Sequence, residues 1–296
     1  MSALEGVLVV GADGLLGRAL CRRLRADGTH VVRSSRRTGA AAAGALPLDL
    51  AAQPESWPEL PRVGAAVICA AVARLQDCAD DAEGSARINV SGTTALAERL
   101  AARGVYTLFL SSDKVFDGLV PQRRRDDAPC PRTEYGRQKA AAERAILGLG
   151  RAGAVLRLAK VLSPELTLLQ DWRRALGAGR PIEAFHDMWL APVRDDVVAR
   201  LAARLVAERR PGIFQASGDQ DIAYVELALS LARALGVDRG LVRARAADPA
   251  LVPPEARPRH STLEMGLEAR LYGLGATGSR ALCAEVAAEL GPPGDA

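Results

Sequence analysis

The fold of this 296-residue chain is decided by the stretch Gly6-Val7-Leu8-Val9-Val10-Gly11-Ala12-Asp13-Gly14-Leu15-Leu16-Gly17. Its apolar beginning predicts a buried strand, its glycines a turn, and a helix starts inside that turn with Leu16, Leu20 and Leu24 on one face. Such a turn brings backbone N–H groups and the helix N-terminus to a pyrophosphate. We therefore predict a dinucleotide-binding unit. The candidate cofactor-binding residues of the turn are Gly11, Asp13, Gly14, Leu15, Leu16 and Gly17.

The second predicted strand, Thr29–Arg33, leads into Ser34-Ser35-Arg36-Arg37. In NAD-binding folds an acidic residue about twenty positions past the glycines holds the ribose 2′-hydroxyl. No acidic residue stands here, whereas hydroxyls and two arginines suit a 2′-phosphate. We expect NADP(H) as the preferred cofactor, with NAD(H) as an alternative, and Ser35, Arg36 and Arg37 among its ligands. A basic surface turn is the competing interpretation.

Two further strands end in candidate site residues. Ala45–Leu48 ends at Asp49, where a carboxylate can accept a hydrogen bond from an adenine amino group, and Ala65–Cys69 opens into a loop of small residues. Ligands bind at the carboxyl ends of parallel strands in such folds. The cofactor-binding candidates here are Asp49, Leu50, Cys69, Ala70 and Ala71, with Val72 on the substrate side.

Strands and helices alternate along the first half of the chain. A helix over about 84–102 precedes a strand at 105–110, and a last strand covers 154–158. This alternation predicts an α/β fold with a doubly wound parallel sheet of the Rossmann type. We expect a dinucleotide-binding domain over 1–163 and a smaller substrate-binding lobe over 164–296. Elements around 192–217 are expected to return to the core sheet.

Tyr135 and Lys139 lie four residues apart on a predicted helix, so their side chains share one face. A free phenol has a pKa of about 10, too high for efficient proton transfer at neutral pH. A neighbouring ammonium stabilises the phenolate and is expected to lower the pKa of Tyr135. A chance pair on a surface helix is the alternative.

Composition excludes several classes of protein. The formal charge of +4 is mild, and the run Arg123–Arg125 is followed at once by two aspartates, which does not favour nucleic-acid binding. Five scattered cysteines without a Cys-x-x-Cys pair indicate free thiols and a cytoplasmic protein, and three isolated histidines predict no metal site. We expect no membrane partner, since no apolar run spans a bilayer. Met1–Glu5 does not resemble a secretory signal.

Taken together, these motifs resemble the extended short-chain dehydrogenases/reductases. The glycine spacing of 11–17, Asn89-Val90-x-Gly92-Thr93, the serine strand end and Tyr135-x-x-x-Lys139 occur in the order of that superfamily. Within it, Ser111–Gly118 is similar to the Ser-Thr-Asp-Tyr-Val-Phe-Asp-Gly segment of dTDP-4-dehydrorhamnose reductases. Arg257-Pro258-x-x-Ser261-x-Leu263 is similar to a second segment of that family.

This resemblance implies roles for individual residues. Ser112 would polarise a substrate carbonyl and Tyr135 would protonate its oxygen as hydride arrives from the nicotinamide. Lys139 would bind the cofactor ribose, and Tyr135 and Lys139 both count as cofactor-binding residues. The implied reaction is reduction of the keto group of a 4-keto nucleotide-activated deoxysugar. Beside Val72 and Ser112, the predicted substrate-binding residues are Asp113 and Trp189, and a homodimer is implied by resemblance alone.

Two departures from the family's pattern keep alternatives open. Lys114 replaces the family's tyrosine, and the segment Phe185–Pro192 is only loosely similar, although its Asp187 and Trp189, with Arg194 beyond it, are candidates for the substrate pocket. A sugar-nucleotide epimerase or dehydratase that retains NAD is one alternative. Dehydration is disfavoured because the Asp-Glu pair of related dehydratases is Asp113-Lys114 here. A non-catalytic nucleotide-binding regulatory subunit is the other.

Overall fold

The structure, a computed structural model, describes residues 6–37, 39–250 and 252–291. The chain forms two compact units. The first comprises Met1–Phe116, Ala128–Arg157 and Asp196–Gln215, and the second Asp117–Asp127, Leu158–Asp195 and Ala216–Ala296. The predicted division at residue 163 differs from these bounds. The first unit ends earlier, and the second takes the excursion 117–127, which the sequence analysis did not separate from the first.

The first unit is built on a seven-stranded sheet. Its strands are β1 Val7–Val10, β2 Val31–Ser35, β3 Leu46–Pro47, β4 Ala65–Ile68, β5 Tyr106–Leu110, β6 Gly153–Leu158 and β11 Gly212–Ala216. Their order across the sheet is β11-β6-β5-β4-β1-β2-β3. The neighbours from β6 to β3 pair in parallel. This is the predicted doubly wound parallel sheet of the Rossmann type. Its four central strands β1, β4, β5 and β6 are buried throughout, as sheets covered on both faces require.

The helices of this unit cover the sheet. They are α1 Leu15–Ala26, α2 Leu75–Asp80, α3 Ala82–Ala86, α4 Thr93–Ala101, α5 Glu134–Gly148 and α7 Asp195–Glu208. The helix predicted over 84–102 is not uniform, because Arg87–Gly92 is a π-helical segment between α3 and α4. Gly92 lets this segment pack closely against Leu50, because a Cβ on Gly92 would lie 2.0 Å from the carbonyl oxygen of Leu50.

A buried ion pair anchors α5 to β6. Glu143 of α5 and Arg157 of β6 have side chains only 2 % and 1 % exposed, and an Arg157 Nη2 donates to a Glu143 carboxylate oxygen at 2.8 Å. The guanidinium also lies 4.9 Å from the centre of the Phe116 ring. Because both charges are desolvated, this pair fixes the position of α5 against the sheet rather than adding much net stability.

The second unit has a core of its own, made of aliphatic side chains with Trp172. Its helices are α6 Thr167–Gly177, α8 Tyr224–Ala234, α9 Gly266–Tyr272 and α10 Ser279–Leu290. Its strands form three two-stranded sheets. They are β7 Val161–Leu162 with β10 Val193–Arg194, β9 Trp189–Leu190 with β12 Ile222–Ala223, and β8 Ile182–Phe185 with β13 Val242–Arg245.

Several predicted boundaries need correction. The second strand begins and ends two residues later than predicted, so Ser34 and Ser35 belong to β2. In the described part of the chain no helix is long and apolar enough to cross a bilayer. Met1–Glu5, where the sequence predicts no secretory signal, lie outside the described residues.

Candidate active site

A cleft of about 280 Å³ opens in the first unit where β1, β2 and β4 end. Eleven of the sixteen predicted cofactor-binding residues line it, together with Val72, which was predicted on the substrate side. Those lining residues are Gly11, Asp13, Gly14, Ser35, Arg36, Arg37, Asp49, Leu50, Cys69, Ala70 and Ala71. Three further lining residues were not predicted, because only their apolar character marks them in the sequence: Val10, Leu48 and Ile88.

The glycine turn has the geometry that a dinucleotide needs. Gly11 has a φ of +80°, and a Cβ there would lie 2.8 Å from the backbone of Ala70. Gly14 precedes α1 without any side-chain cap, so the first N–H groups of the helix are left for a ligand. Gly17 serves packing instead, since its Cβ would lie 2.3 Å from the Gly11 carbonyl oxygen. These residues fit a nicotinamide dinucleotide, with its pyrophosphate at the turn.

Asp13 gathers the polar side chains at the end of β2. Its Oδ1 accepts a hydrogen bond from an Arg33 Nη2 at 3.0 Å, and its Oδ2 accepts one from the Ser35 hydroxyl. The Nε of Arg37 lies 3.8 Å from the same Oδ2. The Ser35 hydrogen bond, with the two arginines, lowers the pKa of Asp13.

Asn89 holds the loop that follows β4 in place. Its Oδ1 accepts from the Val72 N–H at 2.8 Å, and its Nδ2 donates to the Val72 carbonyl at 2.9 Å and to Gln138 Oε1 at 2.8 Å. Asn89 is 1 % exposed. This asparagine therefore links α5, which carries Gln138, to one wall of the cleft.

Ser112 is the second residue after β5 and caps a short 3-10 helix over Asp113–Val115. Its hydroxyl donates to Asp113 Oδ1 at 3.0 Å and accepts from the Lys114 N–H at 3.2 Å. The ammonium of Lys114 pairs with Asp113 Oδ2 at 2.8 Å. Lys114, in the place of the family's tyrosine, thus forms an ion pair with Asp113 beside the catalytic candidate Ser112.

Helix α5 presents Tyr135 and Lys139 on one face. Thr133 caps the helix by accepting from the Gly136 N–H at 3.1 Å. Gly136 is needed for close packing, because a Cβ there would lie 2.1 Å from the Lys114 carbonyl oxygen. The approach of α5 to the 3-10 turn brings Tyr135 within hydrogen-bonding reach of the Ser112 side chain.

Lys139 is 3 % exposed, and its ammonium donates to the Leu110 carbonyl oxygen at 2.9 Å. It lies 4.3 Å from the centre of the Phe109 ring and 5.8 Å from that of Tyr135. Burial lowers the pKa of Lys139 to about 8, against the opposing effect of Glu143. The structure thus brings the three predicted catalytic side chains of Ser112, Tyr135 and Lys139 together.

The pKa of Tyr135 is raised, not lowered as the sequence analysis predicted. Burial of the phenol is the largest cause and the negative charge of Asp113 the next, while the hydrogen bond with Ser112 acts in the opposite direction. The prediction was wrong because it considered only the charge of Lys139 and not the desolvation of the phenolate. The raised pKa keeps the phenol protonated at neutral pH, but it also makes Tyr135 a weaker acid than a free tyrosine.

Not all predicted residues line a cleft. Leu15, Leu16, Gly17, Tyr135 and Lys139 are not among the residues lining the first unit's cleft. In the second unit, Trp189 lines a separate cleft of about 610 Å³ with Asp221, Arg259 and His260. Asp187 accepts from the Ala247 N–H at 2.9 Å, and Arg194 pairs with Glu289 at 2.5 Å.

Comparison with known proteins decides the family. The family model described as the RmlD substrate binding domain matches residues 5–290. The chain belongs to this family. A dTDP-4-dehydrorhamnose reductase of Streptomyces griseus is 30% identical to it over 276 residues, which cover 87% of this chain and 84% of that one. The relationship to this family and to the extended short-chain dehydrogenases/reductases is as the sequence predicted.

Two further matches are a subunit of an adenosyltransferase and a reductase structure, so the functions that their names state differ. Methionine adenosyltransferase 2 subunit beta of Pongo abelii is 29% identical over 272 residues, covering 87% of this chain and 80% of that one. A dTDP-4-dehydrorhamnose reductase from Bacillus anthracis, solved in complex with NADP, has a TM-score of 0.80 at 20% identity and covers 98% of both chains. At this identity the likeness shows the fold alone.

Two segments that carry the resemblance to the RmlD family meet within the second unit. The carbonyl of Gly118 accepts from the N–H groups of Arg259 and His260, both at 2.9 Å. Gly118 has a φ of +70°, and a Cβ there would lie 2.6 Å from the Pro258 Cβ. The Ser261 N–H donates to Asp221 Oδ1 at 2.6 Å. Within these segments, the described contacts of Gly118, Pro258 and Ser261 are therefore structural.

Proposed function

We propose that this protein is an NADPH-dependent reductase of a 4-keto nucleotide-activated deoxysugar, with Tyr135 as the proton donor. The observation that carries the proposal is the meeting of Ser112, Tyr135 and the buried Lys139 at the end of β5, in a chain of the RmlD family. Reductases among the relatives support a nicotinamide-dependent oxidoreductase acting on a nucleotide sugar.

The cofactor would be held by the glycine turn and by the strand ends around it. Gly11 and Gly14 leave room for a pyrophosphate, and Asp49 and Ala70 line the same cleft. The exposed Arg36 and Arg37 favour the 2′-phosphate of NADPH. The bound dinucleotide supplies the hydride.

The chain's own residues supply the proton and the electrostatic stabilisation. In the substrate complex, Ser112 redirects its single hydroxyl proton from Asp113 Oδ1 to the carbonyl oxygen of the substrate. A well-placed donor of this kind is worth ~10²–10³ in rate. Tyr135, whose raised pKa keeps it protonated, transfers its proton to that oxygen as the hydride reaches the carbonyl carbon, so that the ketone becomes an alcohol. Lys139, with its lowered pKa, is poised to return a proton towards Tyr135.

The test is a reduction assay with purified protein. A dTDP-activated 4-keto-6-deoxyhexose is supplied with NADPH, and consumption of the reduced nicotinamide is followed together with the appearance of the alcohol product. We expect turnover with the 4-keto nucleotide sugar and none with the free sugar. Absence of NADPH oxidation with every 4-keto nucleotide sugar tried would refute the proposal.

A regulatory subunit is the second candidate, because the 29% identity to methionine adenosyltransferase 2 subunit beta extends over most of the chain. That function requires binding and association but not proton transfer. It predicts that Tyr135→Phe changes neither dinucleotide binding nor any effect on a partner, whereas a reductase loses its turnover.

A further inference from the structure

The end of β2 has no acidic residue in its sequence, yet a carboxylate lies there in the structure. The Asp13 side chain comes from the glycine turn and bonds to Arg33 and Ser35 of β2, with Arg37 3.8 Å away. Asp13, Ser35 and Arg37 all line the same cleft. Groups expected to bind a 2′-phosphate therefore already face a negative charge of the protein.

We propose that Asp13 is the residue that sets the balance between NADP(H) and NAD(H). The inference rests on the proposed function only in taking the first unit as a dinucleotide site. In this site the glycine turn supplies the carboxylate that β2 lacks. The Asp13 carboxylate accepts a hydrogen bond from the ribose 2′-hydroxyl of NAD(H). The same carboxylate repels the 2′-phosphate of NADP(H).

The chemistry of the group supports both roles. A carboxylate has about four acceptor positions, and the bonds from Arg33 and Ser35 use two of them. The side chain is 24% exposed, so a further acceptor position is accessible to a hydroxyl. Because its pKa is lowered, Asp13 is ionised at neutral pH.

A 2′-phosphate meets a different situation. It carries close to two negative charges at neutral pH and has no proton to offer to Asp13. It must compete with Asp13 for Arg33, Ser35 and Arg37, or move that carboxylate aside. The ratio of the affinities for NADPH and NADH is consequently smaller than Arg36 and Arg37 alone would produce. The size of this ratio depends on Asp13.

The experiment compares binding of matched ligands to Asp13→Asn and to wild type by titration calorimetry. NADPH is paired with NADH, and adenosine 2′,5′-bisphosphate with adenosine 5′-monophosphate, since the second pair tests the adenosine end without the nicotinamide. Asp27→Asn is the matched control, because Asp27 pairs with Arg23 at 2.7 Å on the last turn of α1 and does not line the cleft. Asp13→Thr serves as a second neutral variant, and thermal unfolding verifies that each variant is folded.

We expect Asp13→Asn to tighten binding of NADPH and of the bisphosphate about tenfold, since one unit charge near the phosphate is removed. Binding of NADH and of the monophosphate should weaken by a factor of about two to five, because an amide accepts more weakly than a carboxylate. Asp13→Thr should shift both ratios in the same direction, and Asp27→Asn should leave them unchanged.

Equal changes for both members of each pair, or no change in either ratio, would overturn the inference. Wild-type protein that binds neither dinucleotide would overturn it together with the proposed function. Protein that binds both and shows the expected shift, yet reduces no nucleotide sugar, would leave Asp13 as the specificity determinant and refute only the reductase.

Discussion

The Lys139 ammonium donates to the carbonyl oxygen of Leu110, the last residue of β5, at 2.9 Å. This bond ties the middle of α5 to the strand that delivers Ser112. It also holds a charged group where water does not reach it, which is why the pKa of Lys139 falls to about 8. The site is therefore assembled at the cost of a buried charge.

That cost has a defined pH dependence. A lysine in the unfolded chain has a pKa of about 10.4, above the value of about 8 for Lys139 in the folded protein. Between the two the unfolded chain binds more protons, so the free energy of unfolding rises with pH. The free-energy cost of burying the charged Lys139 is constant below about pH 8. Above that pH the folded protein loses this proton, and the cost decreases. We expect a rise on the order of 2 kcal/mol from about pH 8 to about pH 9.5 in wild type relative to Lys139→Met. Urea unfolding of both proteins at several pH values measures this difference. If the free energies of unfolding of the two proteins changed in parallel with pH, the lowered pKa of Lys139 would be contradicted.

Removal of the phenolic hydroxyl tests the proton donor. Tyr135→Phe should lower kcat for the reduction by ~10²–10⁴, the contribution of a positioned acid. The Kd for NADPH should change little, because the cleft of the glycine turn is not lined by Tyr135. Tyr272→Phe, in α9 of the second unit, is the control and should keep full activity. A Tyr135→Phe protein with unchanged turnover would assign the proton to another group.

The sequence predicted those parts of the site that rest on local patterns. The strand–turn–helix at Gly11–Gly17 and the pair Tyr135 and Lys139 follow from spacing on single elements, and the structure places them as expected. Asp13 shows what local patterns do not predict. The residue was recognised as part of the glycine turn, but its contact with Ser35 joins residues from two different elements. Only the folded chain shows that this carboxylate lies among the predicted 2′-phosphate ligands Ser35 and Arg37.

The remaining differences have the same origin. Residues 117–127 follow the first unit in sequence but belong to the second, because Gly118 bonds to Arg259 and His260 about 140 positions away. Such pairing leaves no periodic signal near Gly118. The direction of the pKa of Tyr135 depends likewise on burial by neighbours from other elements, which spacing on one helix does not report.

Asp113 is expected to control the acidity of Tyr135. Its negative charge is the second cause of the raised pKa, after burial. Asp113→Asn should therefore lower the pKa of Tyr135 and move the alkaline loss of reductase activity to lower pH, since the reaction needs the protonated phenol. The pH profile of kcat/KM measures this, and phenolate absorbance of each protein, compared with its Tyr135→Phe counterpart, provides a direct readout. Asp196→Asn, in an exposed pair with Arg200, is the control and should leave both unchanged. An unaltered pH profile in Asp113→Asn would show that burial alone sets the pKa.

Gly17 is predicted to serve packing rather than ligand binding. A Cβ at this position would lie 2.3 Å from the Gly11 carbonyl oxygen and 2.7 Å from the Ala12 Cα, so backbone must move. We expect Gly17→Ala to destabilise the protein by about 1–3 kcal/mol, as overpacked sites do, and to weaken dinucleotide binding through the displaced turn.

Gly148 is the matched control for this change. It lies at the end of α5 with nothing within 4 Å of a Cβ. Gly148→Ala should leave stability unchanged or raise it by up to about 1 kcal/mol, because alanine loses less backbone entropy in a helix. Urea unfolding measures both variants. If Gly17→Ala were as stable as Gly148→Ala, the close approach of α1 to the glycine turn would not be what requires glycine at this position.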